Sequence, residues 1–142
     1  MLDSMKYVGI DYGSKRIGVA VSDETATLAF PLGTVAAGDK ALGEMLDIIK
    51  ENEVGIVVIG ESRNFKREKN PIMKDIEKFA EALQANHVAV VFEPEFLTSV
   101  QATRHEEKSH RPHQRERAHT NTEQVDASAA ALILQSYLDR LR

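Results

Sequence analysis

The first third of the chain alternates short apolar runs with polar connections. β-Branched runs at residues 7–10 and 17–21 are joined by Asp-Tyr-Gly-Ser-Lys-Arg, which predicts a hairpin with a long turn. A third strand is predicted between residues 27 and 35, where Pro31 indicates an edge or a bend. The chain is therefore expected to begin with three antiparallel strands.

The pattern then changes to alternating helices and buried strands. Apolar residues at i, i+3, i+4 and i+7 predict a first amphipathic helix around residues 42–49. Continuous apolar runs at 54–59 and 88–92 are typical of buried parallel strands. Between them, Asn70-Pro71 is a helix-start signal, followed by one apolar helical face. That face comprises Ile72, Ile76, Phe79, Ala80 and Leu83.

The last segment predicts a long helix through VDASAAALILQSYLDRL. Thr120 with Glu123, or Asn121 with Gln124, has the spacing of a capping box at its start. The order is β-β-β-α-β-α-β-α, which predicts a single α/β domain over residues 1–142. We expect a five-stranded mixed sheet, an antiparallel meander followed by parallel strands, flanked by helices.

Composition narrows the class of protein. The 142 residues are 42% hydrophobic and 28% charged, as in soluble globular domains. The absence of cysteine excludes disulfides and cysteine-based zinc sites. No apolar run approaches the ~18 residues of a membrane helix, and no secretory signal is visible. A cytoplasmic protein with no membrane partner is expected.

Charge is unevenly distributed along the chain. Residues 104–119 hold five Lys/Arg, three Asp/Glu and four of the five histidines, which predicts a mobile, solvated loop. Three of these histidines could form a metal site, but Pro112 interrupts their spacing and disfavours it. The basic segment 63–69, with Lys66 and Arg67, and the turn residues Lys15 and Arg16 are candidate contacts for a nucleic-acid backbone.

Three acids lie where a sheet and a covering helix could bring them together. Asp11 ends the first strand, Glu95 lies just past the last strand, and Asp126 lies in the first turn of the last helix. Taken singly, each has an ordinary explanation: a turn residue, a solvated side chain, or a helix N-terminal charge. Converging carboxylates would instead suit Mg²⁺ or Mn²⁺, the ions used in phosphodiester hydrolysis.

Several motifs resemble one protein family over nearly the whole chain. VGIDYGSKRIGVAVSD, FPLGTV, IVVIGES, PEFLTSVQA and VDASAAALILQSYLD are similar to segments of the YqgF family. Its members are described as pre-16S ribosomal RNA nucleases and as Holliday-junction-resolvase-like proteins. The resemblance implies an RNase H-like fold and places the family's acidic site on Asp11, Glu95 and Asp126. It also implies a role in maturing the 5′ end of 16S ribosomal RNA.

One motif departs from the family pattern. Where the family has Asp-Glu-Arg-Leu-Thr-Thr, this chain has Pro94 and Phe96 in place of the aspartate and the arginine. The change removes a bidentate phosphate contact. Glu61, at the end of the fourth predicted strand, is an alternative to Glu95 as the middle ligand, because related resolvases carry a glutamate at about that place.

These features lead to a main hypothesis and its alternatives. The main one is a metal-dependent endonuclease acting on structured RNA, as a monomer or weak homodimer. The alternatives are a resolvase acting on branched DNA and a non-catalytic nucleic-acid or ribosome-associated binding module. The segment 9–14 also resembles the first phosphate loop of actin-like ATPases, but 142 residues leave no room for the second subdomain that they need.

Overall fold

The structure is a computed structural model that describes the backbone of residues 5–62, 71–95 and 115–141. Side chains are described for residues 5–61, 71–94 and 125–141. The basic segment 63–69, with Lys66 and Arg67, lies outside the described residues, as do Asn70, Phe96 and most of the predicted charged loop.

Five strands form one mixed sheet in the order β3-β2-β1-β4-β5. The two early pairings, β1–β2 and β2–β3, are antiparallel, whereas β1–β4 and β4–β5 are parallel. The strand bounds are Lys6–Tyr12 for β1, Arg16–Ser22 for β2, Ala29–Ala36 for β3, Val54–Ser62 for β4 and Ala89–Glu95 for β5. The predicted order of elements and the mixed sheet are confirmed, and β3, with Pro31, is an edge strand.

Three helices are described: α1 (Ala41–Glu51), α2 (Met73–Ala85) and α3 (Arg115–Leu141). The predicted start of the last helix was wrong. Helix α3 already runs at Arg115, so Thr120 lies inside it and the loop predicted to extend to residue 119 ends earlier. The segment from 115 to 124 is polar, but six of its ten residues are Arg, Glu, Ala or Gln, which have high helix propensity. The polar composition of this segment argues against a buried helical face, but it does not prevent a helix from forming.

Strands β1, β4 and β5 extend past the apolar runs from which they were predicted. The β1–β2 ladder continues to the pair Tyr12–Ile17, so Asp11 lies inside β1. The β4–β5 ladder continues to the pair Ser62–Glu95, so Glu95 is the last residue of β5 and does not follow it. Backbone pairing extends past the last apolar residue in both places, because a neighbouring strand still supplies hydrogen-bond partners.

Helices α1 and α2 cover one face of the sheet with bulky side chains. Alternate residues of the central strands, such as Val8, Ile10 and Ile59, are fully buried there. They pack against a helix layer that includes Met45 and Leu83, both completely buried. This face holds the larger hydrophobic core.

Helix α3 covers the opposite face, which holds a smaller apolar core around Tyr7, Val58 and Leu134 and where two strand positions facing the helix are glycines. A side chain at Gly9 would meet the backbone oxygen of Ala130 at 2.7 Å and Cβ of Leu134 at 2.6 Å. Farther along the helix, the rings of Tyr7 and Tyr137 lie 5.8 Å apart. The glycine lets the helix backbone approach the strands closely.

Candidate metal and nucleic-acid site

The candidate site begins with Asp11 on the α3 face of the sheet. Asp11 follows Tyr7 and Gly9 at the two-residue period of a strand, and both of these contact α3. It is partly buried. The next residue, Tyr12, faces the other layer, where burial and then the negative charge of Asp75 raise the pKa of the phenol.

Gly18 lies next to both Asp11 and the backbone of Asp126. Gly18 is the direct antiparallel partner of Asp11, so the two positions share a face of the sheet. A Cβ atom on Gly18 would lie 2.1 Å from the backbone oxygen of Asp126 and 2.6 Å from its carbonyl carbon. The backbone of Asp126 therefore rests on Gly18, and the two acids border one glycine.

Small residues on α3 make this approach possible. Ala127, Ala129 and Ala130 are buried, and Ile133 follows them on the helix. The face of α3 that meets the sheet therefore combines small and apolar residues. Because alanine keeps the helix axis near the sheet, the partly buried Asp126 stays at the level of Asp11.

A cationic side chain already contacts one of these carboxylates. Nε of Arg16 donates to Oδ2 of Asp126 at 3.3 Å, and the two side chains are 36% and 16% exposed. Arg16 precedes Gly18 by two residues on β2, so it rises on the same face. Sequence spacing could not reveal this pair, since the partners are 110 residues apart.

The two candidates for the middle acid occupy different positions. Glu61 follows Ile59 by two residues on β4, and Ile59 is part of the α1/α2 core, so strand alternation places Glu61 on the face opposite Asp11. Glu95 follows Glu93 by two residues on β5, and Glu93 contacts α3 through Ser136 and Arg140. The side chain of Glu95 lies outside the described residues.

The basic residues predicted to bind nucleic acid are described only in part. Lys15 is exposed at the hairpin turn, directly before Arg16. Its carbonyl oxygen accepts a hydrogen bond from the backbone of Ala37 at 3.0 Å, which fixes the turn against the end of β3. Lys66 and Arg67 belong to the segment outside the described residues.

The donor set at this place is compatible with a divalent cation. Asp11 and Asp126 offer hard carboxylate oxygens, the ligands that Mg²⁺ and Mn²⁺ accept. The guanidinium of Arg16 pairs with Asp126 and offsets part of this negative charge, so a divalent cation would compete with Arg16 for the carboxylate. Within the described side chains no group of three or more ligating residues occurs, so a third protein ligand would have to come from outside them, as Glu95 could.

No helix among the described residues combines the length and apolar character needed to cross a membrane.

Comparison with known proteins assigns the chain to a family. The RuvX family model, described as Holliday junction resolvase, matches residues 5–140. A Thermoanaerobacter pseudethanolicus protein named "Putative pre-16S rRNA nuclease" is 34% identical over 139 residues, covering 95% of this chain and 96% of that protein. A Chloroflexus aggregans protein of the same name is 36% identical over 145 residues, covering 99% and 98%.

A solved structure supports the fold. The crystal structure of the fowlpox virus Holliday junction resolvase covers 97% of this chain and 100% of its own, with a TM-score of 0.56 at 13% identity. At that identity the likeness concerns the fold alone. The RNase H-like architecture implied by the motifs is confirmed, and the chain belongs to the RuvX family of nucleases, the YqgF family of the sequence motifs.

Proposed function

We propose that this protein is a metal-dependent endonuclease that hydrolyses phosphodiester bonds at the 5′ end of precursor 16S ribosomal RNA. The observation that carries the proposal is the meeting of Asp11 and Asp126 at Gly18. Two acids from distant parts of the chain border the same glycine, and Arg16 pairs with one of them. The names of the curated relatives supply the substrate.

The chain's own residues have separate roles in this proposal. Asp11 and Asp126 would hold Mg²⁺ or Mn²⁺, and Glu95 is proposed as the third ligand because position 95 has the same strand parity as Glu93. The bound ions would activate a water molecule and stabilise the leaving oxygen. Arg16 and the exposed Lys15 would hold the substrate backbone, and Lys66 and Arg67 are proposed to extend that contact.

Glu61 fits this site less well. Its position on β4 directs it to the α1/α2 side of the sheet, whereas Asp11 and the backbone of Asp126 both border Gly18 on the α3 side. A ligand to a shared ion must reach the same point as the other two. We therefore retain Glu95 as the middle ligand.

Branched DNA is the second candidate substrate. The matching family model is described as Holliday junction resolvase, and a four-way junction offers the same phosphodiester chemistry. Symmetric cutting of a junction would need two active sites and therefore a dimer. A binding module without catalysis is the remaining alternative, favoured by Pro94 and Phe96 in the altered motif.

One cleavage experiment separates these functions. End-labelled precursor 16S RNA and a labelled four-way DNA junction are each incubated with Mg²⁺ or Mn²⁺ and with wild type, Asp11→Asn or Asp47→Asn. Asp47 is an exposed aspartate on α1, on the other side of the sheet, and serves as the matched control. We expect metal-dependent RNA cleavage that Asp11→Asn abolishes and Asp47→Asn preserves.

The other outcomes identify the alternatives. Cleavage of the junction alone would establish the resolvase. Binding without cleavage of either substrate, in wild type as in Asp11→Asn, would favour the binding module. Metal-free thermal unfolding is measured alongside: Asp11→Asn should be as stable as wild type or more stable, because it relieves repulsion between carboxylates. A clear loss of stability would instead indicate a structural role for Asp11.

A further inference from the structure

The guanidinium of Arg16 contacts Asp126 through Nε, and its terminal nitrogens form a second set of donors. Nε is directed to Oδ2 of Asp126. A guanidinium carries five N–H donors in a rigid plane, and in the described part of the chain the contact with Asp126 is the hydrogen bond this group makes. With the side chain 36% exposed, its terminal nitrogens can reach an anion in solvent.

We propose that Arg16 is a positioning residue that couples metal binding to phosphate binding. In the metal-free protein it holds Asp126 as a counter-charge and lowers the affinity of the site for a divalent cation. A phosphate of the nucleic acid then draws the guanidinium toward itself and releases the carboxylate to the metal. The inference rests on the proposed function, since it concerns a ligand of that same site.

The chemistry of the two partners supports this exchange. An Oδ2 atom that accepts a hydrogen bond from Arg16 has less electron density and less space for a cation at the same atom. The planar guanidinium pairs with phosphate in a bidentate manner, so a phosphate is an effective competitor for it. The distance of 3.3 Å between Nε of Arg16 and Oδ2 of Asp126 is longer than that of an optimal charge-assisted bond. Exchanging the carboxylate for a phosphate therefore breaks only a weak contact.

Reciprocity gives the proposal a quantitative form. If phosphate binding raises metal affinity by some factor, metal binding must raise phosphate affinity by the same factor. Removing Arg16 should therefore have two effects. The metal should bind more tightly to the free protein, and the mutual enhancement of metal and nucleic acid should disappear.

The test compares two variants that remove the same charge from adjacent residues. Arg16→Gln removes the contact with Asp126, whereas Lys15→Gln removes a charge from the exposed neighbour. Mn²⁺ alone is titrated into each protein and into Asp11→Asn, with binding followed by calorimetry and by the electron paramagnetic resonance of free Mn²⁺. We expect Arg16→Gln to bind Mn²⁺ about tenfold more tightly than wild type, and Lys15→Gln to change affinity by less than about twofold because solvent screens its charge.

A second titration measures the coupling. The affinity of each protein for nanomolar labelled RNA is measured with and without Ca²⁺, another oxygen-seeking cation. Ca²⁺ should strengthen RNA binding several-fold more in wild type than in Arg16→Gln. Equal enhancement in these two proteins would overturn the coupling.

The outcomes distinguish this inference from the proposed function. Mn²⁺ binding that Asp11→Asn leaves unchanged would overturn the metal site itself, and the inference with it. Binding that depends on Asp11 but changes equally in Arg16→Gln and Lys15→Gln would overturn only the role of Arg16. If Arg16→Gln does not fold, the Nε–Hε NMR signal of Arg16 in wild type decides: Mg²⁺ should shift it, and a signal indifferent to Mg²⁺ would refute the exchange.

Discussion

The two faces of the sheet are built on opposite principles. The α1/α2 face fills its space with large branched side chains, of which Val8, Ile10 and Ile59 are completely buried. The α3 face places Gly9 and Gly18 against the helix, so that backbone meets backbone. The first face stabilises the fold through buried apolar area. The second has a smaller apolar core, and at its two glycines it gains the short distance that brings the backbone of Asp126 close to the strand position paired with Asp11.

This difference teaches where substitutions should alter activity and where they should alter stability. A change of volume on the α1/α2 face is felt by the core as a whole. A change of volume on the α3 face displaces the helix that carries a proposed ligand. Adding or removing the same number of atoms should therefore change the free energy of unfolding on the α1/α2 face, and should also change the cleavage rate on the α3 face.

The largest effect is expected from Gly18→Ala, because it acts on both quantities. The added Cβ would lie 2.1 Å from a backbone oxygen, which cannot rotate away as a side chain can. Overpacking should lower the free energy of unfolding by about 1–3 kcal/mol. Displacing Asp126 by as little as ~1 Å should also lower cleavage about a hundredfold. Chemical denaturation and cleavage rates of the folded variant check these two effects.

Gly43→Ala is the matched control. Gly43 lies inside α1, and a Cβ added to it would meet nothing within 4 Å. An alanine there should raise stability by about 0.5–1 kcal/mol, because glycine is unfavourable within a helix, and leave cleavage unchanged. Similar losses of cleavage in both variants would show that the closeness of α3 to the sheet is not what matters.

Leu83→Ala tests the packing of the α1/α2 face. Leu83 is completely buried in the α1/α2 core, so a cavity there should cost about 2–5 kcal/mol of unfolding free energy. Cleavage measured well below the unfolding temperature should stay near wild type. The control is Leu132→Ala on α3, where the side chain is 45% exposed and the loss should be small. A large fall in cleavage for Leu83→Ala at unchanged folding would contradict the separation of the faces.

The contrast between faces also explains what could be predicted from the sequence. Strand and helix order follows from the periods of the apolar residues, which is why the alternation of runs and amphipathic segments predicted the right topology. The expectation that Asp11 and Asp126 lie near each other followed from that topology, and both positions border Gly18. A glycine inside a strand, such as Gly18, is a visible signal of close approach, although the prediction of the site did not depend on it.

Other features had no sequence signal of this kind. The start of α3 at Arg115 lies in a polar stretch where no periodic face marks a helix. The pair of Arg16 with Asp126 depends on which strand end faces which helix turn, and a register is set by backbone pairing and not by local composition. The role of Glu95 stays a prediction, because it depends on a side chain outside the described residues.

A smaller effect is expected at a polar contact within the α3 face. Glu93 on β5 is buried and pairs with Arg140, and Ser136 donates to its other oxygen at 2.8 Å. Arg140→Met should lower stability by about 1–3 kcal/mol, because it leaves a buried carboxylate without its cation. Glu93→Gln combined with Arg140→Met should recover part of the loss. Additive losses in this double-mutant cycle would show that the two residues do not interact.

The smallest effect is expected at the β2–β3 turn, which is stabilised by hydrogen bonds instead of by side-chain packing. Asp23 accepts from the backbone of Thr27 at 2.8 Å, of Leu28 at 3.2 Å, and from the hydroxyl of Thr25 at 2.9 Å. These hydrogen bonds, above all the one from the backbone of Thr27, lower the pKa of the Asp23 carboxyl below its ordinary value of 3.8.

The sign of the pH dependence follows from that lowered pKa. Since the carboxyl binds its proton more weakly in the folded protein, it stabilises the fold at pH above 3.8, and this stabilisation is lost as the pH falls through the lower folded-state pKa. Asp23→Asn should therefore unfold with a shallower acid dependence below about pH 4, as seen by circular dichroism across a pH series. The adjacent exposed Glu24→Gln is the control. An acid limb of unchanged slope in Asp23→Asn would mean that the turn is already open before Asp23 is protonated.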